Sequence, residues 1–389
     1  MKVSARIITN TEELSEDEND LDVFLKEYGE NPFMQLPFIR NAMDRNASIT
    51  HIPAIVIVRV DGEIVGLAPL ILRRNLGIRY ARFLTEYWAS PNFVIKENYE
   101  SMTMETVLHL VLKRLNSKLI VLDLNSDSPN LRGLKRICVS NNIPFFEQSH
   151  QFMDHGVISV SCSWDDYKKL CGRHFRRKLR QIENKMNKGG KWKLTVIENN
   201  NEYSEEAIYD KILAIEKLSW KEKIRQGQTV DDSIIWFLKS SSSTNNNTII
   251  IKRKIWFLEL NNQPVAYAMI LQYKGTAYMA KTSFAEEYRE LSLGKFVMYA
   301  AIKDLFDKKE VQKIDFLTYL PIVEFWRANC LKRVRIILGS GIFVKQEYAK
   351  SIFRTAVARL NHDNRREYYM PTARTQLNED KRKSIFHLP

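Results

Sequence analysis

Residues 288–319, YRELSLGKFVMYAAIKDLFDKKEVQKIDFLTY, join a short Ser/Gly turn to an apolar-striped helix and then to a strand ending in Asp315-Phe316. A helix start leaves its first amide hydrogens unpaired and carries partial positive charge, so it attracts anions wherever small residues let the backbone approach. Ser292 and Gly294 supply the small residues, and Arg289 and Lys295 supply full charges. A pyrophosphate fits such a turn. The same residues also read as an ordinary N-cap, Ser292, on a helix whose Phe296, Tyr299, Ala300 and Leu305 face a core.

What precedes the turn narrows the reading. From 255 to 282 three β-rich runs are joined at NNQP and KG, which makes an antiparallel meander. Walker loops and dinucleotide fingerprints follow a parallel strand instead. Upstream, WKLTVI reads as a strand, 205–224 as a helix and SSSSTNNNT at 240–248 as a solvated loop. Downstream come a helix near 322–331, a strand pair at VRIIL and GIFVK, and a closing amphipathic helix marked by Tyr348, Ile352, Phe353, Val357 and Leu360.

The first part of the chain runs through a rougher version of the same order. HIPAIVIVRVDGEIVGLAPLILRR is a hairpin about Asp61-Gly62, 101–115 and LRGLKRICVSNN are helices, and LIVLDLN is a buried strand. We divide the chain into an acidic lead-in (1–30), a first α/β unit (31–150), a second (151–346), and a closing helix with a polar tail (347–389). The similar order implies a duplicated domain without a residue-level repeat.

Composition excludes several classes. With 44% hydrophobic and 11% aromatic residues the chain can fill cores, and its 14 Gly and 11 Pro do not suit a low-complexity protein. The four cysteines form no CxxC pair and the seven histidines no metal-site spacing, so neither a disulfide framework nor a metal is expected. No apolar run approaches the ~20 residues of a spanning helix. The opening residues lack the apolar core of a secretory leader, so a cytoplasmic setting is expected. Residues 1–30 hold nine acidic and three basic side chains, which leaves about +19 of the net +13 on the remainder.

Four stretches, GEIVGLAPLILRR, GRHFRRKLRQIENKMNKGGKWKLTV, SFAEEYRELSLGKFVMYAAI and KIDFL, together resemble the CelD/BcsL-type family of GNAT-like acetyltransferases, distantly similar to the Fem peptidyltransferases. The resemblance spans roughly 33–345. It implies an α/β (α+β) fold of tandem GNAT-like acyltransferase domains, each a mixed, mostly antiparallel sheet flanked by helices, with acetyl-CoA or another acyl-CoA bound by the second. The family's Ser-Pro-Gly turn is Ser292-Leu293-Gly294 here. Its Asp-Phe strand end is Asp315-Phe316, but the Gly and then the Tyr-Lys pair that commonly follow before a Trp give way to TYLPIVEFWRANCLK. Tyr319 stands near the glycine, Glu324 near the lysine and Trp326 in the tryptophan's place.

Acyl transfer to an amine needs a proton acceptor and a polarised carbonyl. Asp315 is the first candidate base, with Tyr319 and Glu324 beside it; backbone amides around 281–284 would hold the oxyanion. The cofactor set is Lys281, Arg289, Ser292, Leu293, Gly294 and Lys295. The stretch 173–193 carries nine basic residues against Glu183, and its Arg173, Arg176, Arg177 and Lys178, with Tyr278 and Trp326, form the acceptor-binding set. The partner is an anionic acceptor such as a nucleotide-sugar or glycan precursor. Two alternatives remain: Fem-like transfer from charged tRNA, and a non-catalytic anion- or nucleic-acid-binding protein on a decayed acyltransferase fold.

Overall fold

The computed structural model describes residues 1–362 except 49, 76, 86–88, 150–153, 199–202, 220–237 and 239–250, with the backbone alone at 354–362. The loop expected at 240–248 and the tail from 363 lie outside these residues. The first sheet takes β1 (Val3–Ile8), β2 (His51–Val60), β3 (Glu63–Asn75), β4 (Ile78–Phe83), β5 (Val94–Ile95), β6 (Leu119–Asn125) and β7 (Phe145–Ser149). The second takes β8 (His155–Ser159), β9 (Trp192–Glu198), β10 (Lys252–Leu260), β11 (Gln263–Tyr273), β12 (Thr276–Phe284), β13 (Lys313–Asp315) and β14 (Asn329–Leu331). The last strand, β15 (Arg333–Gly339), returns to the first sheet and inserts between β6 and β7. Both sheets are mostly antiparallel and flanked by helices, as expected.

The hairpin at Asp61-Gly62 forms because both residues take positive φ, 48° and 95°, which matches the twist of β2 and β3. Side chains on these strands alternate between two cores. Ile55 and Ile57 face the second sheet, and Val56 and Val58 face the helices Glu100–His109 and Pro129–Ser140. The middle core takes in Leu21, Phe24, Phe33 and Phe38 from the first part of the chain and Phe257, Tyr267 and Tyr273 from the second. The two sheets therefore share one apolar layer, and the helices Glu18–Tyr28, Leu36–Asn46 and Glu205–Lys217 lie within it.

Three expectations need correcting. The lead-in over 1–30 carries elements of its own: β1 pairs with β2 along its length, and the helices Thr11–Glu16 and Glu18–Tyr28 follow. Its end grips the second sheet, since the Tyr273 hydroxyl donates to Gly29 O (3.1 Å) and Lys274 Nζ to Glu27 O (2.7 Å). GIFVK is the first turn of the helix Gly341–His362 rather than a strand, and Tyr348, Ile352 and Phe353 on that helix are exposed rather than a buried stripe. The helix near 322–331 is shorter, Pro321–Phe325, and gives way to β14.

The outer core of the second sheet lies under the helices Trp164–Leu170, Gly172–Lys188 and Leu293–Lys308. Phe175, Leu179, Ile182 and Met186 fill it from the basic helix, at the spacing read from the sequence. Trp326 belongs here too. It is fully buried against Phe175 and Phe325, and its carbonyl accepts a hydrogen bond from the Tyr167 hydroxyl. Trp326 is a core residue, not part of an acceptor surface. Truncation to Ala should cost about 3–5 kcal/mol of stability, as for other buried tryptophans. Denaturant unfolding measures this, and a loss under about 1 kcal/mol would show that the ring is dispensable to the core.

Candidate functional site

The second sheet opens at one place. β12 and β13 are parallel and paired only from Thr276 to Tyr278, with Tyr278 opposite Asp315. Past Asp315 the chain follows β8 instead: Phe316 N donates to Gly156 O (2.9 Å) and Gly156 N to Thr318 O (2.8 Å). Leu317, at φ 56°, makes the bend. β12 runs on to Phe284 without β13, and its register against β11 slips at Ala280. A bulge leaves the extra residue out of the ladder and bends the strand. Two parallel strands thus part from a common apex.

The Ser-Leu-Gly turn sits at the open end. Gly294 lies against the ring of Phe284, where an added Cβ would come within 2.9 Å of Cδ1. The close approach that requires glycine is therefore to an aromatic ring. Ser292 takes left-handed φ/ψ (60°, 38°), and no side chain caps the helix among the described residues. The N-cap reading of Ser292 thus gives way to a helix start with its first amides open. Lys295 N and Phe296 N both donate to Ser292 O, at 3.0 and 3.1 Å, so the open amides are those of Leu293 and Gly294.

The basic helix Gly172–Lys188 lies beside this turn. Lys185 Nζ donates to Glu290 O (2.8 Å), and burial together with the charges of Lys178 and Lys185 lowers the pKa of Lys295. The Lys295 ammonium stands 5.3 Å from the centroid of the Phe325 ring. Lys178 and Lys185 of the basic helix and Lys295 of the following helix are thus close enough to act on one another. Arg173, Arg176, Arg177 and Lys178 are exposed on the same helix, as expected of its polar face. Arg289 is exposed and paired with Glu286 (3.3 Å), away from this focus, and Lys281 is half-buried on the parted section of β12.

At the apex Asp315 is held by a buried polar cluster. Its Oδ1 accepts from Leu317 N (2.7 Å) and from His155 Nδ1 (3.1 Å). His155 Nε2 lies 3.3 Å from Arg333 Nη1, and a guanidinium only donates. An imidazole that donates from Nδ1 to Asp315 and accepts at Nε2 satisfies both contacts. Arg333 also donates to Ser90 Oγ (3.2 Å) and Asp123 O (2.7 Å). His155 was not singled out from the sequence, where a lone histidine at a strand start carries no spacing signal.

The remaining expectations divide. Tyr278 lies on the face toward the first sheet, its ring edge-on to Phe33 and its hydroxyl donating to Glu30 O (3.3 Å); burial raises its pKa. The basic helix lies on the opposite face, so the sheet separates Tyr278 from the arginines and they form no common acceptor surface. Tyr319 is half-buried against Gly156, and Glu324 is exposed on the short helix Pro321–Phe325. Neither makes a side-chain hydrogen bond to Asp315 among the described residues. No group of three or more His, Cys, Asp or Glu side chains among these residues could hold a metal ion, and no helix is long and apolar enough to cross a membrane.

Residues 173–321, which contain the basic helix, the parted strands and the turn, match the family model described as an acetyltransferase (GNAT) domain. Among solved structures, L-PGS from Bacillus licheniformis is similar at 11% identity and TM-score 0.54, covering 88% of this chain and 96% of its own. FemX is similar at 13% identity and TM-score 0.54, covering 85% and 96%. A tandem GNAT protein from the clavulanic acid biosynthesis pathway aligns at 12% identity and TM-score 0.46, covering 87% and 98%. No curated protein sequence matches. At such identities the first two likenesses show a shared fold.

The buried cluster makes a prediction. His155→Ala leaves Asp315 and Arg333 each short of a partner and should cost about 1–3 kcal/mol in denaturant unfolding. His155→Asn keeps a donor near the Nδ1 position and should recover part of the loss. Equal stability of all three proteins would show that water replaces the imidazole without cost.

Proposed function

We propose that the second unit, within residues 151–346, binds an acyl-CoA and transfers its acyl group to an amine or hydroxyl of a polysaccharide or cell-envelope precursor. The parting of β12 from β13 carries this reading. The gap runs from the Tyr278–Asp315 apex to the turn beside Phe284, a stretch of six strand residues, or about 20 Å at ~3.3 Å per residue. A donor whose pyrophosphate rests on the Leu293 and Gly294 amides needs an arm of this order to bring its reactive carbon to the apex. The extended pantetheine arm of coenzyme A supplies one. Its extended form matches the parted section of β12 in length, and the bulge at Ala280 frees a peptide to polarise the thioester carbonyl.

In this reading Asp315 takes the acceptor's proton. Its Oδ1 is occupied by Leu317 N and His155, and the more loosely held Oδ2 faces the acceptor. The attacking nitrogen or oxygen forms its bond to the acyl carbon, the C–S bond breaks, and the thiolate leaves with coenzyme A. The first sheet braces the apex through Arg333 on its inserted strand β15, which the first unit's Ser90 contacts. Transfer from charged tRNA is the second reading, favoured by the exposed arginines of the basic helix and by the shared fold with FemX.

Calorimetry with coenzyme A tests the donor. Wild type should bind, and Lys178→Glu with Lys295→Glu should weaken binding at least about tenfold while the melting temperature stays within a few degrees. Unchanged affinity would remove the turn from the site; retention of RNA with a steep salt dependence and no coenzyme A binding would favour tRNA.

Lys295 also sets a pH signature. Its pKa is depressed in the free protein, and a bound pyrophosphate raises it, so binding at mildly alkaline pH takes up protons. The enthalpy should then differ between buffers of unequal ionisation enthalpy. Identical enthalpies would place the anion elsewhere.

Asp315→Asn separates base from brace. Turnover should fall about 10²- to 10⁴-fold, as on removal of a general base, with coenzyme A affinity kept. A rise in KM alone would assign Asp315 to acceptor orientation.

A further inference from the structure

The second sheet ends at β9, and its helix-side face there is only partly covered. Trp192 is 40% exposed and Val196 37%, an apolar floor at the sheet's edge. Between this floor and the helices Gly172–Lys188 and Leu293–Lys308 runs a groove of about 470 Å³, within the size range of small-ligand sites. Phe296 meets the Trp192 ring edge-on, with centroids 5.1 Å apart, and Tyr299 continues the aromatic wall. The indole N–H donates to Asn187 Oδ1 (3.2 Å), which holds the Trp192 ring at the floor.

The rim is rich in acceptors. Glu183, Asn184 and Asp307 line it, and Glu183 Oε1 accepts the Tyr299 hydroxyl (2.7 Å). Burial raises the Tyr299 pKa, and the hydrogen bond to Glu183 and the charges of Glu183, Asp307 and Asp165 raise it further. Asp307 pairs with Lys303 and Asp304 with the buried Lys254, both at 2.6 Å, so the carboxylates are largely balanced in charge. The basic helix thus has two unlike flanks: cations gather near the turn, acceptors and aromatic rings here.

These features select a ligand by elimination. A phosphate is drawn to the cationic flank and away from the carboxylates. A purine stacks on aromatic rings but presents mostly acceptor nitrogens, which would face further acceptors. A pyranose ring offers an apolar C–H face to the floor and hydroxyl donors to the rim. We infer that this groove is a saccharide-binding site, in which a neutral sugar ring lies against Trp192 and Phe296 and donates to Glu183, Asn184 and Asp307. The groove runs beside the turn and does not include Leu293 or Gly294, so the inference stands whether or not the turn holds a donor.

Saturation-transfer NMR and calorimetry with three neutral trisaccharides, chitotriose, maltotriose and cellotriose, test it on the full chain without acyl-CoA. At least one should bind with a Kd in the millimolar range or tighter. Trp192→Ala and Asp307→Asn should each weaken it at least about tenfold, while affinity for inorganic pyrophosphate is unchanged. Asp307→Asn alters one exposed side chain and keeps the test open if Trp192→Ala unfolds. Absence of binding by all three sugars at ~10 mM, or binding that survives both substitutions, overturns the inference.

Discussion

A guanidinium with 1% of its surface exposed stays charged only where acceptors surround it, and the position of Arg333 dictates much of this molecule. Its side chain reaches a backbone carbonyl of β6, the Ser90 hydroxyl and the His155 ring, which belong to both sheets. Its own amide donates to Asp154, which also holds Lys332. Next along β15, Arg335 makes a two-pronged pair with the Asp123 carboxylate. The two sheets are thus fixed to each other through charge as well as through the shared apolar layer. The apex at Asp315 takes its geometry from that fixing.

The sheet's opening follows from pairing that stops early. β13 lies between β12 and β8 and offers each only three residues, and past Asp315 the chain stays with β8 alone among the described strands. In the reading proposed above, function rests on main-chain geometry more than on conspicuous side chains.

That explains what the sequence revealed and what it hid. The meander, the hairpin at Asp61-Gly62, the basic helix and the helix after Ser292 were legible because periodicity and turn chemistry are local. β1 was not, since VSARII is a short edge strand with a mostly exposed face. Trp326 and Tyr278 were misassigned because an aromatic in a suggestive position reads alike whether it lines a site or fills a core; burial alone separates them. His155 could not have been found, because its significance lies in partners 160 and 178 residues away. The parting of β12 and β13 was equally invisible, since it depends on which strand β13 chooses as neighbour.

The return of β15 to the first sheet has a consequence for how the chain is made. Arg333 pairs with Asn125, and Val334 with Ser149, so two strands emerge from synthesis long before the one that belongs between them. Such long-range pairing is slow to form. The half of the molecule synthesised first is therefore the half finished last, and β6 and β7 stand with facing edges unpaired until the second sheet's strands have all been made. Separate expression of the first half would leave its sheet without β15, and of the second half would leave β15 without a sheet. The division between the two units is one of chemistry and not of folding.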